Sequence, residues 1–399
     1  MGKSNNDLLL ILKMLEEGKI SGEEAAKLIE AIESQKEEPD KDKSDNMKDF
    51  DEAINGMTDM AKSIGRIGAR VGKEILESIA EFDFSLTEYQ TIHSEYELSE
   101  GAEILLDSNG KIRIQKNTGT GNLAQVKVQV PREDAGREED IVIREYAKGR
   151  LEIRTEKSYK RPVMIEVLLP DMQYGKVRAR GLNGAVECKG IAADELGLSA
   201  TNGKVAAEGC QGKTMRISTT NGKIVIENCK GEGLTATTTN GKIHTANLSF
   251  PKEIKCTTTN GKVHAEMVAS GKLDLGTTNG GITLSSGKTD QAHLTTTNGH
   301  IAINDYQPFD ENRGKLKAST SNGGISFAVK DGTGVVFTAD AGKHGNIRTG
   351  RDFILENQRY DGVRMTSAKG ESRGLDSTPR SIEADLKTSM GTIDINWIS

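Results

Sequence analysis

The sequence predicts a mainly β fold, a right-handed parallel β-solenoid with coils of about 19 residues, preceded by a small α-helical hairpin and a long amphipathic helix. Asn-Gly pairs recur at regular intervals, and apolar residues recur at fixed offsets from each pair. Glycine is frequent at 44 residues, whereas proline numbers 7. Regular spacing is typical of stacked repeats, and frequent turns with little proline fit short strands joined by tight corners.

The regular repeats span residues 183–327. Successive Asn-Gly pairs are separated by 19, 19, 19, 20, 19, 19 and 24 residues. Three residues after the Asn stands a Val or Ile, as at Ile224, Ile243, Val263 and Ile282. Such apolar columns alternate with polar positions, which is the pattern of a strand with one buried face. Each coil therefore contributes two short strands, and stacking the coils at about 4.8 Å builds a core that no single repeat could form.

The Asn-Gly pairs are predicted to form one corner of every coil. Identical Asn side chains on successive coils are expected to form an amide ladder, with these members: Asn202, Asn221, Asn240, Asn260, Asn279 and Asn298. The following glycine is expected to supply the positive φ that a tight corner needs. Because Asn-Gly is also the strongest hairpin signal, a β-sandwich or propeller is the alternative. A unit of about 19 residues is short for a four-stranded blade, which favours the solenoid.

The chain is predicted to have four parts, at residues 1–34, 35–48, 49–82 and 83–399. The first part is a helical hairpin, because apolar residues follow a helical period and Ser21 with Glu24 forms a capping box before the second helix. Two short helices bury little surface, so the hairpin is expected to pair with a partner or with itself. The second part is a charged linker, the third a long amphipathic helix, and the last the β-repeats.

The amphipathic helix is a candidate contact element. Its apolar arc includes Ile64, Ile67, Val71 and Ile75, and Lys and Arg residues lie on the opposite side. The arc must bury against an end of the solenoid, another copy of the helix or a membrane surface. We expect packing against the solenoid end, because an uncapped end would expose apolar side chains and unpaired strand groups.

Polar columns outside the predicted core supply the candidate sites. Lysines stand two positions after the Asn on four successive coils, at Lys204, Lys223, Lys242 and Lys262. Four like charges at coil spacing repel one another. The lysines are therefore either flexible stems that splay into water or a linear site for a phosphate-rich polymer or lipid headgroups.

Other reactive side chains favour structural or surface roles. His244 and His264 fall in one outward column, which suggests stacked surface histidines more than a metal site. Glu208 and Glu227 could form the carboxylate pair of a glycoside hydrolase, yet no aromatic residue or insertion accompanies them. The four cysteines align with apolar positions and form no C-x-x-C pair, so they are expected in the core. No catalytic residue, metal site or cofactor is predicted.

Composition narrows the location and the partners. The net charge of -6 is unfavourable for nucleic-acid binding. The N-terminus lacks the pattern of a signal peptide, no apolar stretch reaches membrane-spanning length, and no wall-anchoring tail follows Trp397. We therefore expect a cytoplasmic or membrane-peripheral protein, with non-classical surface exposure as the alternative.

Two segments resemble known bacterial families. The stretch from Ile11 to Ile32, ILKMLEEGKISGEEAAKLIEAI, resembles the SHOCT-like helical hairpin of short oligomerisation modules. The repeated Thr-Thr-Asn-Gly-Lys-Ile resembles the bacterial β-strand-repeat family called "putative adhesin". Their combination is similar to envelope-stress proteins of Gram-positive bacteria, including the daptomycin-sensing proteins of the Lia regulatory system. The resemblance implies no catalytic residues, and it implies a role in envelope stress with binding of membrane-active peptides or regulatory membrane proteins.

The sequence thus favours a non-enzymatic envelope-stress scaffold. Its N-terminal helices would self-associate or dock a protein partner, and the solenoid face would bind a membrane surface or an envelope polymer. The alternatives are a β-helical carbohydrate-active enzyme, a surface adhesin, and a cytoplasmic regulatory binder without envelope contact. A smooth outer surface would favour the scaffold, whereas an enzyme needs a cleft with clustered acids.

Overall fold

A computed structural model describes residues 89–398, apart from 118, 120, 148, 310–312, 331, 374 and 376–379. The helical hairpin, the linker and the amphipathic helix predicted before residue 83 lie outside the described residues. The prediction of a mainly β chain is confirmed, because the described residues form 27 strands. Beside them are one short α-helix, α1 (Glu138–Ile141), and one 3-10 turn at Arg132–Asp134.

In the centre of the fold, each coil contains a long strand that ends at the Asn (two residues before it in β8) and a short strand that starts three residues after the Asn. In β15 and β16 the short strand runs on into the next long strand. The central strands are β8 (Gln173–Gly181), β9 (Val186–Lys189), β10 (Ala192–Asn202), β11 (Val205–Glu208), β12 (Gln211–Asn221), β13 (Ile224–Glu227), β14 (Lys230–Asn240), β15 (Ile243–Asn260), β16 (Val263–Asn279), β17 (Ile282–Ser285), β18 (Lys288–Asn298), β19 (Ile301–Asn304), β20 (Arg313–Asn322) and β21 (Ile325–Lys330).

Successive coils pair in parallel and in register. Ile224 lies opposite Ile243, which lies opposite Val263, and Val263 lies opposite Ile282. All four side chains are buried, as the column pattern predicts. The antiparallel alternative is therefore wrong for the repeats, whose equivalent strands pair in parallel. The handedness of the winding stays a prediction.

The core is continuous along the whole stack. Alternate residues of every coil strand point inward, and they belong to one buried cluster that runs from Leu98 to Ile395. Most members are Val, Ile, Leu or Ala, and each lies against its equivalent on the next coil. A single coil would leave this apolar surface in water, so each coil depends on its two neighbours for stability.

At the N-terminal end, the order of the coils differs from the order of the chain. The strands are β1 (Tyr89–Glu97), β2 (Glu103–Ser108), β3 (Ile112–Lys116), β4 (Leu123–Pro131), β5 (Val142–Ala147), β6 (Arg150–Thr155) and β7 (Met164–Leu169). The coil of β2 and β3 lies between that of β6 and β7 and that of β8 and β9. Antiparallel strands continue the sheet outward, since β5 pairs with β6 and β4 pairs with β7 and β1.

The C-terminal end repeats this exchange. The strands are β22 (Gly334–Asp340), β23 (Asn346–Thr349), β24 (Phe353–Asp361), β25 (Arg364–Ser372), β26 (Ser381–Met390) and β27 (Thr392–Ile398). The last two strands lie between the coil of β20 and β21 and the coil of β22 and β23. The hairpin of β24 and β25 pairs antiparallel with β22 and extends the end of the stack.

Truncating an inward side chain tests the stacked core. We expect Ile243→Ala to lower the free energy of unfolding by about 2–5 kcal/mol, because it removes a fully buried side chain between two coils. Val225→Ala is the control, since Val225 points outward in the neighbouring coil and is half-buried. Urea unfolding followed by far-UV circular dichroism measures both. Equal losses for the two variants would contradict the assignment of inward and outward columns.

Candidate functional site

The Asn corner carries a continuous amide ladder. Each Asn donates a hydrogen bond from its Nδ2 to the Oδ1 of the Asn one coil earlier, at 2.8–2.9 Å. The ladder runs from Asn183 to Asn322 and includes the six predicted members. Every interior amide therefore has one donor and one acceptor bond along the stack, which holds the corners in register.

A row of threonines lies just inside this corner. From Asn221 to Asn322, the Thr two residues before each Asn is buried and donates its hydroxyl to the backbone carbonyl of the corner glycine one coil earlier. Thr238 bonds Gly222, and Thr258 bonds Gly241, at 3.2 and 3.0 Å. The same bond recurs from Thr219 to Thr388. The Thr-Thr pairs thus satisfy buried carbonyls with their first hydroxyl and leave their second pointing outward.

The glycine after each Asn is required because the backbones of successive coils lie very close together at this corner. The expectation that these glycines adopt positive φ is wrong. None of the glycines that follow the ladder Asn residues is among the positive-φ residues. A Cβ built on Gly241 would lie 1.8 Å from the carbonyl oxygen of Gly222, and one on Gly261 would lie 1.9 Å from that of Gly241. The backbones of successive corners therefore approach more closely than any side chain permits.

Positive φ occurs at the opposite corner, seven residues after the Asn. Gly190 and Gly209 adopt it first, and five non-glycine residues follow on later coils: Asn228, Asn247, Met267, Ser286 and Asp305. Asn247 donates to Asn228 at 2.8 Å, forming a second, two-member ladder. This second corner is not predicted by the Asn-Gly spacing. Its signal is the run of Gly and Asn seven positions after each Asn, because those residue types tolerate the left-handed region best.

Lys204, Lys223, Lys242 and Lys262 occupy one outward column, which we call the Lys column. The backbone amides of Val205, Ile224 and Ile243 donate to the carbonyls of Lys223, Lys242 and Lys262, which places these lysines on adjacent coils. Lys204 continues the column, since its carbonyl accepts from Val186. All four are exposed. Within the described residues, their ammonium groups take part in none of the ion pairs or side-chain hydrogen bonds, whereas many other surface lysines are paired with acids.

Two histidines extend this face. The rings of His244 and His264 stack at 5.2 Å between centroids, with 5° between their planes. Each has a carboxylate near Nε2, Glu227 at 3.8 Å and Glu266 at 3.7 Å. Burial, which disfavours the charged ring, lowers the pKa of His244, and the neighbouring His264 adds to this effect. The lowered pKa favours the neutral form of His244, so the lysines supply most of the positive charge at this coil.

The cysteines lie in the core, and all four are reduced and buried. The Sγ atoms of Cys188 and Cys210 are 3.8 Å apart, which is van der Waals contact. Burial raises the pKa of the Cys256 thiol to about 12, so this thiol stays protonated and unreactive at neutral pH. In the part of the chain that the structure describes, no group of three or more His, Cys, Asp or Glu side chains is arranged to hold a metal ion.

The carboxylates considered for glycoside hydrolysis stand on the open outer face. Glu208 and Glu227 lie opposite each other on adjacent short strands, and Glu208 pairs with Lys189 at 3.0 Å. A depression of about 650 Å³ opens elsewhere, at the beginning of the long strands, and its lining includes Asp194, Lys213 and Glu232. Neither Glu208 nor Glu227 lines this depression. The side chains of Glu208 and Glu227 are 49% and 41% exposed.

The apolar arc of Ile64, Ile67, Val71 and Ile75 lies outside the described residues, and its packing stays a prediction. Antiparallel strands, not helices, extend both ends of the described stack. Among the residues that the structure describes, no helix has the length and hydrophobicity needed to cross a membrane.

Comparison with known proteins identifies two sequence families. A model described as Toastrack DUF4097 matches residues 87–274 and 251–396. A SHOCT-like domain model matches residues 6–37, which supports the N-terminal resemblance. None of the curated proteins matches this chain.

Solved structures with some likeness have low identity. A "putative adhesin" from Bacteroides fragilis is 12% identical, with 77% of this chain and 97% of that chain covered and a TM-score of 0.30. A "putative lipid binding protein" from Parabacteroides distasonis is 11% identical, with 78% and 98% covered and a TM-score of 0.34. At these scores the likenesses carry no argument about function.

Adding a methyl group at the corner tests the close approach of the coils. We expect Gly241→Ala to lower the free energy of unfolding by about 1–3 kcal/mol or more, because the new Cβ would meet a backbone oxygen that cannot move independently of the stack. Gly276→Ala is the control, because the nearest atom to its Cβ would be a Thr257 methyl group at 3.4 Å. Chemical unfolding measures both, and a stable Gly241→Ala protein would contradict the corner geometry.

Relieving the strain at the opposite corner should stabilise the protein. Met267 holds a φ of 47° while its side chain is exposed. Met267→Asn introduces a residue that tolerates this conformation. It lies on the coil next to that of Asn247, at the equivalent position, where it extends the second amide ladder. We expect a gain of about 1 kcal/mol in the free energy of unfolding. Met267→Leu, which keeps the strain, should give no gain, and an equal gain from both variants would contradict the explanation.

Proposed function

Because the chain belongs to the Toastrack family DUF4097, whose model matches most of its length, we propose that it is a non-enzymatic scaffold of the bacterial cell envelope. Its β-stack binds a linear anionic polymer or an anionic lipid surface. The N-terminal SHOCT-like segment provides self-association or a protein partner. The protein acts in envelope stress, as in the Lia-type systems that its sequence resembles, from a cytoplasmic or membrane-peripheral position.

The observation that carries this proposal is the Lys column. Lys204, Lys223, Lys242 and Lys262 repeat at about 4.8 Å, the spacing of paired strands. This distance is shorter than the Debye length of about 8 Å at physiological ionic strength, so the four charges act together on one ligand. They repel one another until an anion neutralises them, and a ligand that spans three coil intervals meets all four.

The surroundings of the column favour a local, oriented site. The whole chain carries a net charge of -6, so attraction of anions by overall charge is unfavourable. On the coil before Lys204 the equivalent residue is Ala185, and on the coil after Lys262 it is Gly281. The carbonyls of Ala185 and Gly281 accept the same inter-coil hydrogen bond as those of the lysines. The cationic segment is therefore about 14 Å long, a length suited to several consecutive phosphates of a chain rather than to one ion.

Charge-neutralising variants test this site in the full chain. We expect the double variant Lys223→Gln, Lys242→Gln to weaken binding of linear inorganic polyphosphate about tenfold or more, and to flatten its salt dependence, because two phosphate contacts are lost. The control is Lys252→Gln, Lys272→Gln. It removes the same net charge from lysines already paired with Glu232 and Glu253.

Fluorescence anisotropy over a salt series measures polyphosphate binding. Flotation with phosphatidylglycerol vesicles then distinguishes a membrane surface from a soluble polymer. Equal weakening by the two double variants would show non-specific attraction and overturn the site. Cell fractionation with and without membrane-active antibiotics tests the envelope role separately, and a protein that never accompanies the envelope would contradict that role.

A further inference from the structure

A second outward surface lies on the long strands, just before the Asn corner. Two columns there carry almost only hydroxyl side chains, one and three residues before the Asn. We call these columns together the hydroxyl strip. Its members are Ser199, Thr201, Ser218, Thr220, Thr237, Thr239, Thr257, Thr259, Thr278, Thr295, Thr297, Ser319 and Ser321. Gly276 is the one position of the two columns on these coils that lacks a hydroxyl.

The strip is held in register over seven coils. The Asn at its border pairs with the next Asn on every coil from Asn202 to Asn322. The register shifts in this region, at Lys230/Gly233 and Phe250/Glu253, lie outside the strip. Most of its residues are threonines, whose branched Cβ restricts χ1 in a strand. The hydroxyls and methyl groups therefore form a repeating array of restricted orientation.

Most of these hydroxyls are not used by the protein itself. The inward threonines between them donate to glycine carbonyls, as described for the corner. Within the described residues, Ser199 and Thr295 are the members of the strip with a side-chain hydrogen bond, to the carbonyl of Ala179 and to the ring of His293. The remaining hydroxyls are available to solvent or to a ligand.

The chemistry of the strip excludes several ligand classes. It contains no charged side chain, so an anionic polymer or headgroup finds no counter-charge there. It contains no aromatic side chain, so a sugar ring has no surface on which to stack. Charges begin only in the next column, at Arg216, Lys255 and Asp274. What remains is a neutral array of hydroxyl and methyl groups, which fits ordered water.

The spacing of the array is close to that of ice. Coils repeat at about 4.8 Å, and side chains two residues apart on a strand repeat at about 6.8 Å. Water molecules joined tetrahedrally by hydrogen bonds of about 2.75 Å have second neighbours at about 4.5 Å and a layer repeat of about 7.3 Å. The mismatch is about 0.3 Å per coil, so the four coils from Thr239 to Thr297 accumulate only about 1 Å.

We propose that the hydroxyl strip is an ice-binding surface. Its threonines hold a lattice of water molecules in positions that continue into an ice crystal, and the protein adsorbs to the crystal through this layer. The proposal is independent of anion binding, because the strip and the Lys column lie on opposite sides of the Asn ladder in each coil.

The test uses the purified full chain and two matched threonine variants. Thr239→Lys places a charge inside the strip. Thr235→Lys places the same charge on the same strand, four residues away, in the column that already holds Arg216 and Lys255. We expect the natural protein to inhibit ice recrystallisation and to shape ice crystals. Thr239→Lys should need a concentration at least about tenfold higher, a loss of about 1.4 kcal/mol of adsorption, whereas Thr235→Lys should behave like the natural protein.

Circular dichroism and thermal unfolding establish whether each variant is folded. If Thr239→Lys does not fold, Thr259→Lys on the next coil is used in its place. Two results overturn the proposal. One is ice growth in the presence of the natural protein that matches growth with serum albumin. The other is equal loss in the strip variant and the control. Binding to an insoluble neutral polysaccharide that Thr239→Lys abolishes, without any effect on ice, would assign the strip to glycan instead.

Discussion

The close stacking of backbone on backbone at the Asn-Gly corner is the constraint on which the rest of the structure depends. A glycine on one coil lies so near the carbonyl of the glycine on the next that no Cβ fits between them. This contact fixes the distance between coils. The inward Thr hydroxyls bond the glycine carbonyls at the contact, and the exposed Asn amides bond one another along the stack. Once the corners are in register, every inward and outward column is in register as well.

Because the coils are in register, the side chains that stabilise the fold and those available for binding lie in separate columns. Inward columns hold Val, Ile, Leu, Ala and Cys, whose burial against the neighbouring coils supports the stack. Outward columns are free to vary, because their side chains contact little of the protein. A change repeated on several coils then becomes a linear array, such as the Lys column or the hydroxyl strip. Ligands matched to such arrays are themselves periodic, which is why a polymer or a crystal surface suits this fold better than a small molecule.

At the two ends of the stack, the arrangement of strands differs from that of the regular coils. A regular stack would end in an open strand edge, which can pair with other chains. After β21 the chain passes outward, adds antiparallel strands and returns to complete the inner coil of β26 and β27. Before β8 the order is reversed, since the inner coil of β2 and β3 comes first, and the antiparallel strands and the outer coil of β6 and β7 follow it. The C-terminal strands β26 and β27 are consequently paired on both sides. This arrangement ties the last residues of the β-region into the core, where they bridge the repeats and the terminal hairpin.

The sequence by itself determined the mainly β fold, the coil length and the inward columns, since Ile224, Ile243 and Val263 recur at one offset from Asn and a two-residue period has only one buried face. It also placed the Lys column and the corner amides on adjacent coils. Tertiary structure decided what depends on contacts between coils. The glycine after each Asn is required by a neighbouring carbonyl and not by its own φ, and positive φ appears at Asn228 and Met267 instead. The exchange of strands at both ends was likewise invisible in the sequence, because the terminal strands lack the Asn-Gly spacing and pair with segments distant along the chain.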